Sequence, residues 1–156
     1  MFQRVTLIGR VGQDPVMRYT PDGTPVTTIS LATTETITKT KFDGGDRPCP
    51  GGWKESYNGK NWEVTTWFRV TFWRGAAETV NTYVTKGSQL FVEGIMKGEA
   101  KDGTMDPRVW ADQSGEHRAS FELTARQFKF IGKSNGGVVH DEPPPEGHEM
   151  VGDTPF

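Results

Sequence analysis

Apolar and polar residues alternate with a period of two along much of the chain. Between Arg4 and Gly12, Val5, Leu7, Gly9 and Val11 interleave with Arg4, Thr6, Ile8 and Arg10, the pattern of a strand with two unlike faces. Pro21-Asp22-Gly23 signals a turn, and the β-branched Thr and Val residues after it predict a strand over about 25–36. The clearest alternation lies over 63–74. Val64, Thr66, Phe68, Val70 and Phe72 fall on one face, and Thr65, Trp67, Arg69, Thr71 and Trp73 on the other. Successive strand side chains project to opposite sides, so the first set suits a core. The second gathers two tryptophans and an arginine on the outer face.

The period then changes. From Gly75 to Lys86, Ala76, Ala77, Val80, Tyr83 and Val84 recur at helical spacing, closed by Lys86-Gly87. A strand follows over about 88–98. Lys101-Asp102-Gly103 and Asp106-Pro107 separate it from an extended piece at 108–113, and Ser114-Gly115 turns the chain into a last strand over 117–130. On that strand Ala119, Phe121, Leu123 and Ala125 share a side. The order β-β-β-α-β-β predicts an all-β protein with one helix, folded as a five-stranded OB-fold barrel. Residues 38–62 are polar and aperiodic, with Gly44-Gly45, Gly51-Gly52 and Asn58-Gly59, and predict a long loop. Beyond 133, Gly136-Gly137, Pro143 to Pro145 and acidic residues predict a disordered acidic tail. The expected division is a domain over 1–132 and a tail over 133–156.

Charge sharpens that division. The net charge is −2, yet all 18 basic residues lie in 1–133 against 15 acids, leaving +3 there and −5 on the tail. A mildly basic body with an acidic appendage suits a domain that binds a polyanion. Cys49 is the only cysteine, which excludes an internal disulfide and a cysteine-rich zinc site. The start, Met1-Phe2-Gln3-Arg4, lacks the apolar stretch of a secretory signal, and no apolar run approaches the ~18 residues of a membrane span. A cytoplasmic, nucleoid-associated protein with no membrane partner is expected.

The candidate chemistry is binding. Holding single strands without sequence preference requires flat aromatic faces for unpaired bases and cations along the backbone. Trp67, Arg69, Trp73 and Arg74 supply both on one strand, and Arg108 with Trp110 repeats the pairing on the arm before the last strand. Phe68, Val70 and Phe72 already claim the core side, so Trp67 and Trp73 are expected outside. For Trp53, Tyr57 and Trp62 in the long loop two roles fit equally: stacking on bases, or pinning the loop to the barrel.

These residues resemble the bacterial-type single-stranded DNA-binding proteins and their mitochondrial relatives. The matching stretches include Val11-Gly12-Gln13-Asp14-Pro15, Ser30-Leu31-Ala32-Thr33, Thr66-Trp67-Phe68-Arg69-Val70, Lys86-Gly87-Ser88-Gln89, and Trp110-Ala111-Asp112-Gln113-Ser114-Gly115. The resemblance implies an OB-fold, usually a homotetramer, that wraps single-stranded DNA. It places Trp67, Trp73 and Trp110 where the family stacks bases, and Arg4, Arg69, Lys86 and Arg108 at or beside its basic positions. It also implies that the tip, Asp153, Pro155 and Phe156, docks replication and repair proteins. Three features depart from the family pattern: Ile37 stands where Trp is frequent, Phe68 where His is common, and 38–62 and 99–107 are long.

Other classes fit less well. His117, His140 and His148 are the only histidines, and no metal-ligand spacing, nucleophile elbow or phosphate loop accompanies them. No catalytic residue, metal or cofactor is therefore expected. A primosome-type replication adaptor on the same fold, acting mainly through protein contacts, is the alternative reading.

Overall fold

The structure, a computed structural model, describes residues 2–41, 43–111 and 114–131. Among the described residues ten strands and one helix follow in the order β1 (Val5–Val11), β2 (Val16–Tyr19), β3 (Pro25–Thr38), β4 (Lys54–Glu55), β5 (Asn61–Trp73), α1 (Gly75–Tyr83), β6 (Gln89–Lys97), β7 (Glu99–Lys101), β8 (Thr104–Asp106), β9 (Arg108–Ala111) and β10 (His117–Phe130). Five of the strands close a barrel. β1 pairs antiparallel with β3 and β6, β6 with β10, and β3 with β5. The ring closes where β10 runs parallel to β5, from Phe121 opposite Phe68 to Thr124 opposite Thr71. The fold is thus mostly β with one helix and a closed five-stranded barrel, as the element order predicts.

The alternation along each strand decides what fills the barrel. Leu7, Val11, Ile29, Leu31, Val70, Phe72, Leu90, Val92 and Leu123 are buried, and α1 contributes Ala77 and Val80, with Val84 just beyond it. Thr27 is buried among them, and its hydroxyl donates to the Ala77 carbonyl at 2.7 Å, so no polar group is stranded there. Gly94 allows β6 and β10 to approach: a Cβ there would lie 2.1 Å from the Thr124 carbonyl oxygen.

Several boundaries differ from the sequence-based expectation. α1 ends at Tyr83, not near Lys86, because Val84 takes up extended backbone; Tyr83 itself is exposed. β10 carries a bulge between Ala125 and Gln127, so the inward set shifts from Leu123 and Ala125 to Phe128 and Phe130. Phe121 shares the Leu123 side but lies at the barrel rim, 55% exposed, its ring 5.6 Å from that of Phe68. The break expected at 101–103 is a tight hairpin between β7 and β8, with positive φ at Asp102 and Gly103. The long loop holds β4, paired with β5, and an isolated bridge between Thr40 and Asp46. Among the described residues no helix is long and apolar enough to cross a membrane.

Candidate nucleic-acid interface

The outward positions of β5 oppose those of β3 in register: Trp67 faces Ala32, Arg69 faces Ser30, Thr71 faces Thr28 and Trp73 faces Val26. β2 extends this surface, with Val16 beside Thr28 and Arg18 beside Val26. Between these strands lies an open groove of about 480 Å³, lined by Trp67 and Arg69 together with Val16, Arg18, Thr28 and Ser120. Trp67 is 54% exposed. Its ring rests on Gly12, where a Cβ would come within 2.4 Å of it. Glycine at that position therefore leaves room for the ring against the backbone.

The other two candidate tryptophans flank this groove. Trp110 on β9 is 46% exposed, and its indole N–H donates to the Ser120 hydroxyl at 3.2 Å. Because Ser120 lines the groove, that bond ties the β9 arm to the Trp67 end. Arg108 lies opposite Ser120 in register and is exposed. At the far end, Trp73 is 42% exposed beside the groove residue Val26.

The basic candidates divide. Arg69 lines the groove. Lys86 stands at its edge, since its backbone N–H donates at 2.8 Å to the carboxylate of Asp14, itself a lining residue. Arg74 follows Trp73 with φ at 55°, and its backbone N–H donates to the Pro25 carbonyl at 2.9 Å. Nearby, hydrogen bonding to Thr20 and then Thr24 holds the Asp22 carboxyl below the usual carboxylate range, with Arg74 adding a weaker pull. Arg4 is not among the lining residues; its guanidinium pairs with Glu93 at 3.0 Å.

In the long loop the three aromatics separate. Trp62 is half-buried: its indole N–H donates to the Arg47 carbonyl at 2.9 Å, and the Lys39 ammonium sits 4.3 Å from its ring centre. Trp53 is also partly buried, its backbone N–H donating to Pro50. Tyr57 is fully exposed. Ile37 opposes Trp62 in register, on the hairpin face turned away from Trp67.

Residues that the strand pattern did not single out also line the groove, Val16 and Arg18 foremost. The four residues Val16-Met17-Arg18-Tyr19 are too few, and lack the apolar–polar alternation, to stand out as a strand. Among the described residues no group of three or more His, Cys, Asp or Glu is placed to hold a metal. The candidate tip residues Asp153, Pro155 and Phe156, and the boundary at 132, lie outside the described residues.

Flat exposed rings alternating with guanidinium groups along an open groove can stack planar groups and neutralise anions between them. Comparison with known proteins agrees with that chemistry. The single-strand binding protein family model matches residues 2–131. Single-stranded DNA-binding protein 1 of Xylella fastidiosa (strain 9a5c) is 36% identical over 130 residues, covering 83% of this chain and 77% of that protein.

Proposed function

The chain belongs to the single-strand binding protein family, and from that membership we propose that it binds single-stranded DNA along the β2–β3–β5 face without reading its sequence. The observation that carries the reading is the groove itself, where exposed Trp67 and Arg69 lie between Trp110 and Trp73. Every base presents a π-face, so stacking on these rings tolerates any sequence. Arg69, Arg74, Lys86 and Arg108 neutralise phosphates along the same path, which makes affinity fall with salt. Arg4, already paired with Glu93, contributes less.

On this reading the protein is a binding protein rather than an enzyme. It covers and protects single strands during replication, recombination and repair, in the cytoplasm on the nucleoid. Residues 1–132 form the DNA-binding domain, four copies assemble into a homotetramer, and the tail 133–156 recruits replication and repair proteins through Asp153, Pro155 and Phe156. Titrating the protein with a long oligo(dT) at two salt concentrations tests the core of this. Strong quenching of tryptophan fluorescence is expected, with weaker binding at higher salt. Absence of quenching would overturn the reading, and weak, salt-insensitive binding would favour the adaptor that works through protein contacts.

A further inference from the structure

The groove contains one residue of the wrong sign for a polyanion. Among the described residues that line it, Asp14 is the one carboxylate, set in the same surface as Arg18 and Arg69. It is exposed, and no ion pair among the described residues neutralises it. A carboxylate beside a strand of phosphates repels it wherever salt screens incompletely. Its place in the groove therefore needs a compensating role within the protein.

That role lies in a distant part of the chain. Asp14 sits three residues beyond β1, and its Oδ1 accepts the backbone N–H of Lys86 at 2.8 Å, 72 residues away. Lys86 and Gly87 are the central pair of a turn from Thr85 to Ser88, closed by the Ser88 N–H on the Thr85 carbonyl at 3.0 Å. Gly87 has φ at 90°, which the third residue of such a turn accommodates only readily as glycine. Two backbone bonds dock the second half of the turn on β1. Gly87 N–H donates to the Val11 carbonyl at 2.7 Å, and Val11 N–H to the Ser88 carbonyl at 2.9 Å. In the first half, the Ser88 hydroxyl accepts the Thr85 N–H at 3.0 Å. The N–H of a turn's second residue has no partner within the turn, and here Asp14 supplies one. Asp14 thus fixes the peptide from which the Lys86 side chain departs.

We propose that Asp14 is a positioning residue for strand binding: by holding the Lys86 N–H it orients the 85–88 turn so that the Lys86 ammonium meets a phosphate at the edge of the groove. The proposal rests on the single-strand reading above and deepens it. The segment from Gly12 to Asp14 then serves the strand twice, since Gly12 leaves room for the Trp67 ring and Asp14 holds the cation's backbone. Repulsion from one carboxylate is offset by a cation whose backbone is already ordered when the strand arrives.

The test uses the full chain and compares Asp14→Asn with Asp14→Ala, two variants of equal charge. Both remove the repulsion, but only Asn keeps an oxygen that can accept the Lys86 N–H. Each is titrated with poly(dT) across a salt series, beside thermal melting. Asp14→Asn is expected to bind as tightly as the parent or tighter. Asp14→Ala is expected to bind about 2- to 10-fold more weakly than Asp14→Asn, the range for loss of one hydrogen bond. Its log–log salt slope should be flatter than that of Asp14→Asn by up to about 0.7, one phosphate contact. Should Asp14→Ala melt early, Asp14→Leu keeps the branched shape at Cγ without an acceptor and takes its place. Equal slopes for the Asn variant and the variant without an acceptor overturn the proposal, even if the latter melts earlier, because that is the mark of a purely structural residue. In a Lys86→Ala background the difference between Asn and Ala at 14 should vanish; a difference that persists shows that Asp14 acts elsewhere and also overturns it. An unchanged slope in Lys86→Ala alone does the same, since Asp14 acts through that side chain. Failure of the parent to bind poly(dT) is the separate outcome that sinks the single-strand reading itself.

Discussion

Trp67 owes its exposure to two neighbours: Phe68 turned inward on one side, and the bare backbone of Gly12 beneath its ring. Replacing Trp67 or Trp73 by Ala should cost on the order of 1–3 kcal/mol of DNA affinity for each stack removed while leaving the melting temperature nearly unchanged, because neither ring belongs to the core. Poly(dT) titration beside thermal melting checks both halves of that expectation. Gly12→Ala is the indirect version. Its methyl must displace the ring, so a loss approaching that of Trp67→Ala is expected although the ring itself is kept. Arg74 separates backbone from side chain. Its positive φ is a conformation glycine adopts freely and other residues hold at a cost on the order of 1–3 kcal/mol. Arg74→Gly should therefore raise the melting temperature and at the same time flatten the salt slope by about 0.7. A glycine variant that is more stable with an unchanged slope would show that the guanidinium touches no phosphate.

Among the elements, β10 does the most varied work. Its first residues pair with β9 and present Ser120 to Trp110, its middle closes the barrel on β5, and its bulge re-aims the remainder so that Phe128 and Phe130 pack inward. Phe128 meets Phe72 edge-on at 5.3 Å, which places an aromatic contact inside the seam. Leu123 lies just before the bulge and is almost fully buried. Leu123→Ala should destabilise the protein by about 2–5 kcal/mol, since the closed ring of strands collapses poorly around a void. Denaturant unfolding measures it, and a cost below about 1 kcal/mol would mean the seam repacks freely.

For the whole molecule, one barrel offers only a short groove, so wrapping a long strand requires several copies. Sedimentation at micromolar concentration should show a homotetramer; a stable monomer would contradict that part of the proposed function. The −5 of residues 134–156 against the +3 of the remainder sets a further expectation. An anionic tail competes with DNA for the same cations, so deleting 134–156 should leave affinity equal or slightly higher, most visibly at low salt. Removing Pro155 and Phe156 alone should instead abolish capture of replication and repair proteins by the DNA-bound protein. Identical partner sets with and without them would leave the tip without a role.

Much of this was legible in the residues, for local reasons. Alternation along 63–74 separates Phe68, Val70 and Phe72 from Trp67, Arg69 and Trp73, because the pleat fixes which side chains share a face whatever the strand pairs with. The order of elements then leaves few ways to close a barrel. What the sequence could not determine depends on pairing between distant segments. The bulge in β10 flips the inward set only because β6 holds the register on both sides of it, and β2 exists only because β3 offers it an edge. Arg4 leaves the groove for a similar reason, as the β1–β6 register brings Glu93 beside it. Ring orientation is decided at the same level. Trp62 and Trp67 are both tryptophans on β5, five residues apart and so of opposite parity, yet parity alone does not say which one is pinned. The Arg47 carbonyl and the gap over Gly12 decide that, and both reach β5 from other parts of the chain.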